Sequence, residues 1–104
     1  MAKRVRTERR AAERAAAKLA RSSEKLARLE AGGAPERPID VSTASVVEPH
    51  ARSAACAQCA REGTLRVESH EARIVAGERL RVVSVSCSAC SARRDLYFRI
   101  ALPS

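Results

Sequence analysis

Along the first 31 residues the apolar positions recur about every seven residues, among a dense alternation of charge. ERRAAERAAAKLARSSEKLARLEAGG is built mainly from Ala, Arg, Lys, Glu and Leu, all strong helix formers, and contains no Pro. Val5, Ala12, Leu19 and Leu26 lie seven apart, and Ala15 and Leu29 fall at the second seam position of a heptad, where Glu8 and Ser22 interrupt it. This pattern predicts one long helix over residues 2–30, closed by Gly32 and Gly33. At 1.5 Å per residue it spans roughly 40 Å. Glu24 and Arg28 stand four apart in the favourable order. Because the seam is mostly Ala, the expectation is a solvated helix, with a weak helix-mediated dimer or docking on a partner as the alternatives.

Residues 32–54 change character. Pro35, Pro38 and Pro49, small side chains and the lack of a clear period predict a flexible linker that makes the helix mechanically independent of the cysteine region. IDVSTASVV is a short strand at most, and PHARSAACAQC at most a turn of helix. From residue 55 the period becomes two. TLRVES places Leu65 and Val67 on one face, EARIVAGERLRVVSVS reads as a hairpin turning at Gly77–Glu78, and DLYFRIAL alternates through Leu96, Phe98 and Ile100. In LRVVSVS, Leu80 and Val82 share one face and Val83 and Val85 the other. That needs a bulge or burial on both faces. The expected organisation is therefore a basic helix over 1–31, a linker over 32–54 and a small β domain over 55–104.

Composition makes the core thin. Much of the apolar content is the 21 Ala, with one Phe, one Tyr and no Trp. The large apolar residues after Gly63, from Leu65 to Leu102, number thirteen. A domain of this size usually needs a metal or disulfides beside its core.

The net charge of +8 is uneven. Residues 1–31 hold ten basic and four acidic side chains, residues 32–54 two and three, and residues 55–104 eight and five. The basic character belongs to the helix and points weakly to a phosphate-bearing partner. Seventeen of the 20 cations are Arg, which with abundant Ala also fits a coding sequence rich in G and C. No segment approaches a membrane span, and no apolar run comes after MAKRVRTERR, so neither membrane nor secretory signal is expected. The expected location is cytoplasmic, where paired cysteines serve as metal ligands more often than as disulfides.

All four cysteines stand in CAQC (Cys56, Cys59) and CSAC (Cys87, Cys90), with 27 residues between the pairs. A thiolate zinc site takes four soft ligands about 2.3 Å from the metal. A CxxC turn supplies two, and two turns close the sphere. Redox chemistry, an iron–sulfur cluster and structural disulfides are the other uses of such cysteines. Neither pair opens a convincing long helix, and neither is followed by His.

Over residues 54–101 the chain resembles the zinc-ribbon family, in particular its small bacterial-type members, in which two such turns on β-hairpins clamp one structural zinc. The resemblance implies a small antiparallel β fold with one Zn²⁺ held by Cys56, Cys59, Cys87 and Cys90. Ala57, Ala60, Ser88 and Ser91 stand where ribbon turns often carry Pro and Gly.

His50 and His70 are expected to be ordinary surface residues. Carboxylates are scattered singly, with no acid–base pair and no phosphate-cradling Gly loop. A closed zinc sphere has no room for an activated water. The expectation is a non-enzymatic protein: a nucleic-acid or ribonucleoprotein accessory factor with a basic helical arm, or a protein-interaction adaptor, with a thiol-redox or zinc sensor as the remaining alternative. Arg81 and Arg99 flanking Tyr97 would form a platform for single-stranded nucleic acid if the strands pair suitably.

Overall fold

The computed structural model describes residues 2–101, with side chains from Arg6 onward; Val5 of the heptad seam and Leu102 of the expected core lie outside them. Helix α1 runs Ala2–Leu29, strand β1 Ile39–Val41, helix α2 Val47–Ser53 after a short 3-10 turn, and strands β2, β3 and β4 Leu65–Val75, Glu78–Cys87 and Arg93–Ile100. The strands form one sheet in the order β1-β4-β3-β2. β2–β3 and β3–β4 pair antiparallel, but β1 pairs parallel to β4. The sheet is thus mixed, not wholly antiparallel as the ribbon resemblance implied.

The parallel strand comes from the segment expected to be a flexible linker. That expectation is corrected by its burial. Asp40 pairs in register with Arg99, whose Nε and Nη2 donate to its carboxylate at 2.7 and 3.2 Å. The Arg99 hydrogen bonds hold the Asp40 carboxyl below its ordinary value of 3.8. Helix α2 then lays Val47 and Ala51, both fully buried, on the sheet. They join Val83, Val85, Leu96 and Phe98 in the core. Full burial of a side chain such as Phe98 stabilises by about 2 kcal/mol. Few large apolar residues fill the sheet's inner face, so the chain recruits its cover from residues 39–53. Small residues and Pro hid that role from a periodicity reading.

Both faces of β3 are buried. Val83, Val85 and Cys87 face α2, whereas Leu80 and Val82 are buried on the outer face, opposite Arg73 and between Glu71 and Tyr97 by register. The long side chains of those neighbours supply the cover on that face.

The predicted separate strands TLRVES and Ala72–Ala76 are one strand with a bulge. Register slips between Val67 and Ser69. One extra residue inverts the alternation. Leu65 and Val67 lie on the α2 side of the sheet before it, and His70, Ala72 and Ile74 lie on that side after it, the last two exposed beyond the helix. Without the slip, Ser69, Glu71 and Arg73 would lie on that side instead. The hairpin turns at Ala76–Gly77, one residue earlier than predicted, with φ of 51° and 83°. Positive φ at both central residues is the two-residue turn that matches strand twist, and Gly77 adopts it without a Cβ penalty.

The helix projects from this body. The radius of gyration is 17.1 Å and the extents are 67 × 25 × 19 Å. A compact chain of this length has a radius near ~13 Å. Among the described side chains of α1 burial is confined to the last turns: Ala27 is buried beside Gly33, Ala20 and Ser23 are half-buried, and half-buried Glu24 lines a cleft with Arg93 and Arg94 of β4. A Cβ on Gly33 would lie 2.0 Å from the Ala27 carbonyl oxygen, so glycine is what lets the chain fold back over the helix end. The Gly32 carbonyl then accepts from the Tyr97 N–H at 2.9 Å, tying that end to β4. No described helix is long and apolar enough to cross a membrane.

Candidate metal centre

The two CxxC segments adopt the same turn. The Ala60 N–H donates to the Cys56 carbonyl at 2.8 Å, and the Cys56 N–H donates to the Arg61 carbonyl at 3.0 Å. In the second segment the Ser91 N–H donates to the Cys87 carbonyl at 2.9 Å, and the Cys87 N–H to the Ala92 carbonyl at 2.8 Å. The residue after the second cysteine is left-handed in both, Ala60 at φ 62° and Ser91 at φ 63°. β3 delivers Cys87 at its last residue, and the Ser88 N–H reaches across to the Thr64 carbonyl at 2.9 Å, next to the start of β2. That bond brings the second turn to the first.

The result places all four sulfurs within 4.8 Å of one another. Two approaches across the turns are Cys56 to Cys90 at 3.6 Å and Cys59 to Cys87 at 3.7 Å. All four are free thiols. A tetrahedron with metal–sulfur bonds of about 2.3 Å has sulfur–sulfur edges of about 3.8 Å. The donor set therefore fits one four-coordinate, thiophilic ion. Zn²⁺ held here by four thiolates would leave the site at a net −2 and clamp the two turns together, with its sphere filled by protein.

Cys56 and Cys87 are buried, Cys59 is half-buried and Cys90 is exposed, so the cluster sits at the rim of the core. Its protons are unequally held. The Thr64 hydroxyl, 3.2 Å from Cys87 Sγ, lowers that thiol to about 6 despite its burial, aided by the Cys90 and Ala89 N–H groups. The Ala92 N–H lowers Cys90, but desolvation and the thiols of Cys56, Cys87 and Cys59 outweigh it and push Cys90 up to about 12. Each thiol must lose its proton to become a ligand, so metal uptake releases protons and weakens as pH falls. Thr64 was missed in the sequence. Its only signal is its place just before β2.

Neither histidine joins the cluster, the only such group of metal-ligating side chains among the described residues. Both instead serve the packing of α2. The His50 ring meets Phe98 edge-on with centroids 5.5 Å apart. Half-buried His70 places Nδ1 3.5 Å from the Glu48 carboxylate. The expected Arg–Tyr platform does not form. Arg81 pairs with Phe98 and so lies on the face opposite Tyr97. Arg99 shares the Tyr97 face but is held by Asp40 and by Glu78 at 3.6 Å.

Fold and site together define a small mixed α/β protein: a four-stranded sheet, a projecting helix and a four-thiol cluster joining two turns. No protein-family model, curated protein or solved structure matches this chain.

The left-handed residues of the two turns yield a test. A non-glycine residue there is disfavoured by roughly 1–2 kcal/mol. Part of the gain from glycine is offset by its looser unfolded chain. Ala60→Gly and Ser91→Gly should each raise unfolding free energy by about 0.5–1 kcal/mol. Denaturant titration of the reduced protein measures this. A loss of stability in both variants would contradict the strain assigned to these turns.

Proposed function

We propose that Cys56, Cys59, Cys87 and Cys90 hold one structural Zn²⁺, that the protein is a zinc-ribbon-like, non-enzymatic factor, and that its basic helix contacts a nucleic acid. The observation that carries the first part is the convergence of four sulfurs from both turns within 4.8 Å, with cross-turn approaches of 3.6 and 3.7 Å. That pattern suits a shared ion better than dithiol chemistry, which pairs the two cysteines of one motif. Zinc is the natural occupant of a closed four-thiolate sphere in a turn-and-strand setting. With every coordination position filled by protein, the metal's role is to fold and not to activate water.

Support for the second part is the helix. Arg10, Arg14, Arg21 and Arg28 are all exposed and lie on one side of α1. Successive members of the set Arg14, Arg21, Arg28 are about 10 Å apart along the axis, a row suited to a phosphate backbone. A protein-interaction role is the second reading. It is favoured by Leu19, Leu26 and Leu29, which remain 62–69% exposed on the same helix.

Native mass spectrometry of reduced, untagged protein should show one zinc per chain, and Cys90→Ser should show none at equal zinc concentration. Four free thiols and no zinc in the parent would overturn the metal assignment. For the arm, affinity for a single-stranded oligonucleotide should fall at least tenfold between ~50 and ~200 mM salt. Replacing Arg10, Arg14 and Arg21 with Gln should remove most of that slope. Salt-independent binding, or none at low salt, would overturn the nucleic-acid reading.

A further inference from the structure

Among the described residues, nothing covers the leucine stripe of α1. Leu19, Leu26 and Leu29 are 69%, 63% and 62% exposed, although the same helix docks its last turns on the sheet. The docked edge is Ala20, Ser23, Glu24 and Ala27. Successive residues turn by about 100° around a helix axis. On that wheel the docked edge is centred roughly a third of a turn from the leucines, and Arg10, Arg14, Arg21 and Arg28 lie roughly a third of a turn from them on the other side. The helix therefore has three separate faces: one on its own sheet, one cationic and one apolar.

We infer that the apolar face is the seam of a parallel homodimer, with Leu19, Leu26 and Leu29 of two copies packed together. The distribution of charge selects a second copy as the occupant. With Val5, Ala12, Leu19 and Leu26 as the first core position of each heptad, Arg10, Arg14, Arg21 and Arg28 fall at outer positions, where pairing does not bring them together. Thus two helices of the same net charge associate without apposing their main cation rows. Of the residues flanking the seam, exposed Lys25 stands at the position that meets the partner's residue 30, an exposed Glu in the capping position just past the helix end. This cross-helix pair forms twice in a parallel dimer and in no antiparallel one. By the same rule Lys18 meets Ser23, at the border of the docked edge, and adds no repulsion, whereas Arg4 meets Arg9, a like pair that disfavours contact at the N-terminal end. Ser22 interrupts the seam between Leu19 and Leu26, and towards the N-terminus it thins to Ala15, Ala12 and then Glu8. The contact is therefore concentrated between Leu19 and Leu29, close to the sheet, and the cationic N-terminal halves of both helices stay available. The dimer carries two basic rows facing outward.

Sedimentation equilibrium of metal-loaded protein, from micromolar to hundreds of micromolar, tests this. The parent should show a monomer–dimer equilibrium. Leu26→Lys should weaken it on the order of a hundredfold, since two leucines leave the seam. Its zinc content and β-sheet circular dichroism should be unchanged, because Leu26 is not packed on its own domain. Lys25→Glu should weaken the dimer severalfold, and Lys25→Glu with Glu30→Lys should restore it. A parent that stays monomeric throughout, or a dimer indifferent to Leu26→Lys, overturns the proposal. A dimer broken by Leu26→Lys but insensitive to both charge changes overturns the parallel arrangement.

Discussion

Cys56 and Cys87 belong at once to the thiol cluster and to the apolar core. The sulfurs converge because the core holds the two turns together, and the core is closed at that end because the turns meet there. β3 carries this dependence. It is buried on both faces through Leu80, Val82, Val83 and Val85, pairs along both edges, and ends on Cys87. A displacement of β3 by one residue would flip its inner face and carry Cys87 away from Cys59.

A chain with a single Phe and no Trp cannot close such a sheet with strand residues alone. Two devices make up the deficit. One is α2, which seals the inner face with Val47 and Ala51 and is held in place by His50 on Phe98 and Glu48 beside His70. The other is the thiol cluster, which in the proposed zinc-bound state converts four proton-bearing sulfurs into a cross-link between turns 27 residues apart in sequence. Metal-binding free energy in such a domain is folding free energy.

The sequence was most legible where its signal is local. The Ala/Arg/Leu run specifies α1, the alternation through Leu96 and Phe98 specifies β4, and the cysteine spacing anticipates the cluster. The phase change from Leu65 and Val67 to Ala72 and Ile74 is also written there, but two strands and one bulged strand produce the same pattern. What could not be read is non-local. β1 is three residues long and exists because β4 offers it an edge, and α2 is a short helix whose apolar side is one Val and one Ala. Neither has enough internal periodicity to stand out from a Pro-containing linker. The pairing that puts Arg81 on the face opposite Tyr97 likewise depends on register between strands.

The most direct test is amide hydrogen exchange of the reduced protein before and after zinc is removed by a chelator. If the thiol cluster acts as the metal clamp on which the sheet depends, removing zinc abolishes protection along β3 and β4, and re-adding zinc restores it. Retained protection of β3 in the reduced, metal-free protein would contradict that account and leave the apolar core as sufficient by itself.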